Sequence, residues 1–348
     1  MTRTTGDVLL VGSVPLDTAE EVFRTCAQAV GSRVSSLPDG EVGDRRAWVI
    51  YQAYRVFHGH PQLETLQRPQ GVWIPTGLED MWQFTVKEGI DAVRFEDLQY
   101  ASAALASYQT FRTLRDRGEI PAPVRFQVSL PLPWDGVSWF FPAPADLVRL
   151  APAYEAAMTR ELDQIVAQIP AQDLALQWDV CREVLELEGV FSSPQDPWAH
   201  YRGQIRRLSS RIPDETLLGY HFCYADLGHR HMKEPQDLSL CVRMANAAKA
   251  ESGRRVDWVH LPVPRARHDD VYFAPLTDLD IGDAKLYVGL IHHTDGVEGS
   301  LNRLATARQY ASGFGVATEC GFGRRPRATL PGLLRIHCEV AAALSGTL

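Results

Sequence analysis

The sequence has no hydrophobic run long enough to cross a membrane. None of its 348 residues belongs to a stretch approaching about 18 consecutive apolar residues, whereas a transmembrane helix needs about 20. The opening segment, MTRTTGDVLLVGSVP, also lacks the apolar core and small-residue cleavage site of a secretory signal peptide. These absences predict a cytoplasmic protein that has no membrane segment.

Positive charge is scarce and dispersed. The chain has 35 Lys and Arg against 43 Asp and Glu, a formal net charge of −8, and no Lys- or Arg-rich block. Proteins that track nucleic acids neutralise phosphates with clustered basic side chains. The composition therefore predicts that nucleic acid is not a partner.

Cysteine is also sparse, and its spacing is irregular. In a chain without a signal peptide, this suits reduced thiols that serve packing, metal binding or catalysis. A chain of this length buries enough apolar surface to fold without disulfides. The six cysteines are Cys26, Cys181, Cys223, Cys241, Cys320 and Cys338.

What the sequence does contain is an alternation of short apolar, β-rich runs with longer stretches of helical periodicity. Such alternation predicts a parallel sheet with crossover helices, and eight units favour closure into an α/β (β/α)8 TIM barrel. The first run is followed by GSVP instead of G-x-G-x-x-G, which argues against a dinucleotide-binding fold. The eight runs are 7–13, 33–41, 124–131, 174–179, 217–223, 256–262, 285–293 and 313–320.

The chain is predicted to be one barrel domain spanning 1–348. The segment 42–123, rich in aromatics and poor in strand signals, is interpreted as helices and loops elaborating the barrel mouth after strand two. In such barrels the chemistry lies at the carboxyl ends of the strands. The ends of these runs are unusually polar, which predicts a reaction centre there, since buried polar groups need partners.

A metal site is predicted from three of these polar residues. His221 and Cys223 are separated by Phe222 at the end of the fifth run, so their side chains lie on the same strand face. Cys320 closes the eighth run, and the barrel brings it to the same mouth. Imidazole with sulfur suits zinc, and three protein ligands leave one position for substrate or solvent. An H-x-C triplet alone is weak support, because buried cysteines are usually packing residues.

The remaining four cysteines are interpreted as packing residues. His229 and His231, in the segment GHRHM, are interpreted as surface histidines of a loop and not as a second metal site.

Six segments spread through the chain form an ordered pattern. They are VGSVP (11–15), DGEVGDRR (39–46), LQWDVCRE (176–183), HFCY (221–224), LIHHTDGVEG (290–299) and TECGFGRR (318–325). In order and spacing they resemble the catalytic domain of cobalamin-independent methionine synthase and its zinc-dependent thiol methyltransferase relatives. That family lies within the barrel superfamily that includes uroporphyrinogen decarboxylase.

The resemblance implies that the three predicted metal ligands bind Zn2+. The family usually takes a fourth ligand from a glutamate at the end of strand six, where this chain has Pro262. His260, two residues earlier, or Glu319, beside the last cysteine, could substitute, or water or a substrate thiol could fill the position.

The resemblance also implies substrate-binding and proton-transfer roles. Ser13, Glu41 and Asp179 match positions that bind the substrates, and His292 matches a plausible proton donor. Asp39, which replaces the first histidine of the family's H-G-E segment, is a second candidate donor.

Three tryptophans, Trp134, Trp139 and Trp48, could offer stacking faces to a flat methyl donor, although ordinary packing is expected for at least one.

The predicted function is therefore zinc-dependent transfer of a methyl or alkyl group to a small thiol, activated as a zinc-thiolate. The donor would be of the folate, corrinoid or aryl methyl ether type. Two alternatives remain: a metal-free decarboxylase, which would want an arginine-rich pocket, and a non-catalytic ligand-binding barrel.

Overall fold

Parallel strands and helices alternate along the chain, as the apolar runs predict. The computed structural model describes residues 7–69, 75, 77–192, 194–225 and 230–344, so His229 lies outside the described residues. The strands are β1 (Val8–Leu9), β2 (Ser36–Pro38), β3 (Leu63–Gln67), β4 (Gln83–Val86), β5 (Arg125–Pro131), β6 (Leu174–Val180), β7 (Leu217–Phe222), β8 (Trp258–Pro262), β9 (Lys285–Ile291) and β10 (Gly315–Thr318). The α-helices are α1 (Ala19–Val30), α2 (Tyr100–Asp116), α3 (Pro133–Ser138), α4 (Pro144–Gln168), α5 (Arg182–Leu187), α6 (Pro197–Ser209), α7 (Ser239–Glu251), α8 (Asp270–Phe273), α9 (Gly296–Tyr310) and α10 (Leu330–Leu344).

Eight of the strands form one parallel sheet in the order β1-β10-β9-β8-β7-β6-β5-β2. Its two edge strands are brought together by main-chain hydrogen bonds from Val8 N to Arg33 O, 3.0 Å, and from Val14 N to Gly40 O, 2.9 Å. The sheet is thus nearly closed, with helices between successive strands. The predicted (β/α)8 TIM barrel is confirmed.

The barrel interior changes from apolar to polar toward the carboxyl ends of the strands. Trp258 lies against Gly219, where a Cβ would come within 1.9 Å of the indole, so only glycine fits. Higher in the barrel, the Gln177 amide donates to Val11 O at 2.7 Å and to the Asp179 carboxylate at 2.9 Å. This polar layer carries the candidate site above it.

The segment 42–123 contains more strand than the sequence indicates. Short helical turns at 43–50 and 53–57 precede an antiparallel pair, β3 and β4, in which Leu63 lies opposite Val86. The interpretation of this segment as helices and loops alone was wrong. Only one face of the pair is covered, and Leu66 is 54% exposed, so the apolar signal of these strands is weak.

No α-helix in the described part of the chain is both long enough and apolar enough to span a bilayer.

Candidate metal centre and substrate cavity

Strand β7 and the turn after β10 bring the three predicted metal ligands together. The potential ligand atoms of His221, Cys223 and Cys320 all lie within 4.8 Å of one another. The two sulfurs are 3.6 Å apart, too far for a disulfide. Two Zn–S bonds of about 2.3 Å at a tetrahedral angle would separate their sulfurs by about 3.8 Å. The residues present therefore fit a zinc ion with little movement.

His260 fixes the tautomer of His221. The Nε2 of His260 lies 3.0 Å from the carbonyl oxygen of Thr318, which only accepts, so this nitrogen carries the proton. Burial lowers the pKa of His260 to about 3, so the ring is neutral and its Nδ1 is an acceptor. That Nδ1 lies 2.7 Å from Nδ1 of His221, which must then donate. The lone pair of His221 is left on Nε2, where a metal can bind it.

We expect His260→Phe to weaken zinc binding although all three ligands remain. Loss of a group that orients a metal-bound histidine typically lowers metal affinity by about 10- to 100-fold. Chelator competition against the purified protein measures this. The matched control is His337→Phe, which removes another buried histidine bonded to a main-chain carbonyl, on α10. Equal affinities in wild type and His260→Phe would contradict the orienting role.

His260 and Glu319, the two candidates for a fourth ligand, contact other groups. Both ring nitrogens of His260 are hydrogen-bonded as described. The Glu319 carboxylate lies 2.8 Å from Nε2 of His231 and lines a smaller neighbouring cavity. Neither residue belongs to the set of donors within mutual reach. Neither side chain is therefore placed to act as a fourth ligand at this site.

His231 is not the surface histidine that the sequence predicts. Its side chain is 11% exposed and lies between Glu319 and Glu234. Burial acts to lower the pKa of His231, but the hydrogen bond and charge of Glu319 outweigh it and raise the pKa to about 9. The protonated ring and the carboxylate form an ion pair beside the candidate metal ligand Cys320.

His292 does not lie in the main cavity. Its Nε2 is 2.8 Å from Val263 O, to which it donates, and its Nδ1 is 4.0 Å from Glu319. Burial lowers the pKa of His292 to about 3, so the ring is neutral near pH 7. Its one proton is already committed to a carbonyl, which does not fit the predicted role of proton donor.

An open cavity over the barrel interior, with about 720 Å³ of space including its solvent-open mouth, is lined in part by all three candidate metal ligands. Its walls come from the ends of β1, β6 and β7, from the turn after β10 and from the segment after β2. Its lining includes Gly12, Ser13, Glu41, Trp48, Trp139, Asp179, Cys181, His221, Cys223, Cys320, Gly321 and Arg324.

Two carboxylates, Glu41 and Asp179, line the same cavity as the sulfurs. Burial raises the pKa of Glu41 to about 7. Burial, and then the charge of Glu41, raise the pKa of Asp179 well above its usual range. Asp179 is held by hydrogen bonds from the Gln177 amide and, at 3.1 Å, from the indole of Trp48. A cation placed between the two carboxylates would let both ionise.

The loop that presents Glu41 has an unusual backbone. Gly40 and Gly43 have φ of 80° and 65°, and Glu41 itself has φ of 50° in the left-handed region. A Cβ on Gly12 would lie 2.9 Å from the Glu41 carboxylate, so glycine there admits the acid. A strained non-glycine residue is typical of functional positions.

Glu41 gives the ligand-free protein a specific pH dependence. Its pKa rises from 4.5 to about 7 on folding, so its contribution to stability is full below pH 4.5. That contribution is lost as the pH rises through about 7, because the unfolded chain releases the proton more readily. We expect Glu41→Gln to flatten the fall in melting temperature between pH 5 and 8. Thermal unfolding of both proteins across this range measures it, and parallel curves would contradict the assignment.

Ser13 lies under the glycine-rich turn that follows Cys320. Its Oγ accepts a hydrogen bond from Gly323 N at 3.2 Å, and a Cβ on Gly321 would come within 2.4 Å of that oxygen. Arg324 lines the same side of the cavity. This corner combines a hydroxyl, main-chain amides and a guanidinium, which suit an anionic group.

Asp39 serves the loop and not the cavity. Its carboxylate accepts from Arg45 at 2.6 Å, from Ser107 at 2.7 Å and from Glu41 N at 2.9 Å. Burial acts to raise the pKa of Asp39, but Arg45 and these hydrogen bonds lower it overall. An ionised carboxylate with these partners does not fit the predicted proton donor, and we assign Asp39 to positioning the Glu41 loop.

The three tryptophans proposed as stacking faces differ in whether they line the cavity. Trp48 and Trp139 line the cavity, as the stacking hypothesis requires. Trp134 does not: its indole donates to Glu186 at 2.8 Å, and it packs edge-on against His200. The prediction that Trp134 binds substrate does not fit this position.

Cys181 is the residue that the sequence analysis missed. It was interpreted as packing, yet it lines the cavity and its thiol is hydrogen-bonded to Cys223. Its position directly after β6, at the same rim as the other strand ends, was the available signal.

Comparisons with known proteins identify the fold. No protein-family model matches the sequence, and no curated protein matches it significantly. Solved structures do match. A B12-independent methionine synthase from Shewanella sp. W3-18-1 in complex with selenomethionine has a TM-score of 0.58 and 15% identity, covering 94% of this chain and 88% of that one.

Two other solved structures are similar to this chain in fold. A putative vitamin-B12 independent methionine synthase from Listeria monocytogenes has a TM-score of 0.56 and 13% identity, covering 94% of this chain and 86% of its own. A methyltransferase from Methanosarcina mazei has a TM-score of 0.50 and 12% identity, covering 95% and 94%. Over nearly its whole length, the chain has the barrel fold seen in B12-independent methionine synthases.

Proposed function

We propose that the protein transfers a methyl group to the sulfur of an amino-acid thiol at a zinc centre. The observation that carries this proposal is the convergence of His221, Cys223 and Cys320 on one cavity with two facing carboxylates. The fold shared with methionine synthase and methyltransferase structures supports methyl transfer as the reaction class.

The cavity matches an α-amino acid in its charges. Glu41 and Asp179 would receive the ammonium group, whose charge would counter the burial and the neighbouring charge of Glu41 that raise the pKa of Asp179. Ser13, the main-chain amides of the glycine-rich turn and Arg324 would receive the carboxylate. The thiol end would then lie toward the candidate metal ligands, which line the same cavity. The bound selenomethionine of the Shewanella protein is an amino acid of this class.

His221, Cys223 and Cys320 would hold the metal. When bound, Zn2+ lowers the pKa of a coordinated thiol, so that thiolate is present at neutral pH. In the transfer, the thiol loses its proton and the sulfur forms a bond to the methyl carbon. The electron pair of the broken donor bond stays with the leaving group, which takes up a proton.

The donor side is bounded by Trp48 and Trp139. Their indole faces suit a flat donor, and the folate, corrinoid and aryl methyl ether classes meet that requirement. The Trp48 indole donates a hydrogen bond to Asp179. The side chain proposed to contact the methyl donor is therefore held in place by a carboxylate proposed to bind the amino-acid thiol.

The alternatives have less support. A decarboxylase that neutralises several carboxylates would need an arginine-rich pocket, and among the described lining residues Arg324 is the only arginine. A non-catalytic barrel would have no need of two carboxylates with raised pKa values facing a sulfur cluster.

Turnover with a defined thiol tests the proposal. Zinc-loaded protein is incubated with L-homocysteine and one donor of each class, and the methyl thioether is measured by mass spectrometry. We expect product with one donor class, and its loss when a chelator strips the metal. Absence of thioether with every donor, together with release of carbon dioxide from a polycarboxylate substrate, would favour the decarboxylase.

A further inference from the structure

Strand register places Cys181 beside the metal ligands. β6 and β7 are parallel, with Asp179 opposite His221 and Val180 opposite Phe222, and Cys223 N continues the ladder by donating to Val180 O at 3.1 Å. The next pair in that register is Cys181 with Cys223. Registered neighbours in a parallel sheet point to the same face and lie about 4.8 Å apart.

The Cys181 side chain already contacts this cluster. Its thiol is hydrogen-bonded to Cys223, and it belongs to the buried group that also includes Cys320. All three sulfurs line the same cavity. Cys181 lies outside the set of donor atoms within 4.8 Å of one another, so its side chain has to move for the third sulfur to join the other donors.

The backbone of Cys181 is held firmly. Its N–H donates to the buried carboxylate of Asp135 at 3.1 Å, and the next amide, of Arg182, donates to the same carboxylate at 2.8 Å. Asp135 also accepts from the Trp139 indole at 3.2 Å. These hydrogen bonds fix the backbone directly after β6, so only the Cys181 side chain has to move.

We propose that Cys181 is the fourth protein ligand of the resting metal centre, giving it three sulfurs and one nitrogen. This inference rests on the proposed function only in sharing its metal site. Coordination would release the thiol proton of Cys181 and form one metal–sulfur bond; for a substrate thiol to bind the metal, that bond would break and Cys181 would take up a proton again. Sulfur-rich sets of this kind are common for zinc.

Zinc K-edge X-ray absorption counts the sulfurs directly. We expect three sulfurs at about 2.3 Å in the wild type and two in Cys181→Ala. The matched control is Cys26→Ala, which removes a buried cysteine of α1 and should keep three. Chelator competition should show affinity lowered by about 10-fold or more in Cys181→Ala alone.

The outcomes separate the two proposals. Stoichiometric zinc with two sulfurs in the wild type would overturn the role of Cys181 and leave the proposed function intact. A wild-type protein that binds no zinc would overturn the metal centre altogether. Because the wild type alone decides the sulfur count, failure of the variant to fold does not weaken the test.

Discussion

Replacing Cys320 with serine should remove zinc from the protein and abolish methyl transfer. Cys320 lies 3.6 Å from Cys223 and supplies one of three donors within mutual reach. A direct ligand contributes more than an outer partner, so we expect zinc affinity to fall by more than about 100-fold. Metal analysis after dialysis against a weak chelator measures the content. His221→Ala and Cys223→Ser should behave in the same way.

The matched control is Cys338→Ser, on α10, whose thiol donates to Ala29 O far from the cavity. It should retain wild-type zinc and activity. If all three ligand variants kept stoichiometric zinc, the proposed centre would be wrong.

Replacing Asp179 with asparagine should weaken binding of an amino-acid thiol while the metal stays in place. The variant withdraws one of two buried charges from the substrate ammonium. Loss of one partner of such a pair costs about 2–5 kcal/mol, which is a rise in Kd of about 30-fold or more. Calorimetric titration of the zinc-loaded protein with L-homocysteine measures it.

A thiol that lacks the ammonium group provides the control. 3-Mercaptopropionate should bind wild type and Asp179→Asn with similar affinity, since it makes no demand on the carboxylate pair. In the wild type, binding of the amino acid near pH 7 should also release protons, because a cation lowers the raised pKa values of Glu41 and Asp179. Equal weakening for both thiols would assign Asp179 to structure and not to recognition.

The barrel and the assembly of the metal ligands were accessible from the sequence for a geometric reason. Strand periodicity places His221 and Cys223 on one face, and barrel closure brings the end of β10 to the same rim as β7. Neither inference requires knowing which side chain contacts which. The partners of His260, Glu319 and Asp39 require that information, and the sequence does not supply it.

The contacts of these side chains cannot be predicted from the sequence, for one physical reason. A carboxylate or imidazole at a strand end has several possible partners, and the choice depends on elements distant in sequence. Asp39 forms an ion pair with Arg45 and accepts a hydrogen bond from Ser107 on α2, and His260 donates to Thr318 O on β10. Cys181 was missed likewise, since its proximity to Cys223 follows from the register of β6 on β7.

The left-handed backbone conformation of Glu41 lowers the stability of the fold at a residue that we propose binds the substrate. A non-glycine residue held there costs about 1–3 kcal/mol, which glycine would largely recover. Trp48, with φ of 52°, raises the same conflict at the other side of Asp179. A laboratory selection for heat resistance alone would therefore favour glycine at position 41. The selected protein would be more stable but would lack the carboxylate that we propose binds the substrate, and we expect it to be inactive. Any screen for thermostable variants has to keep turnover as a second criterion.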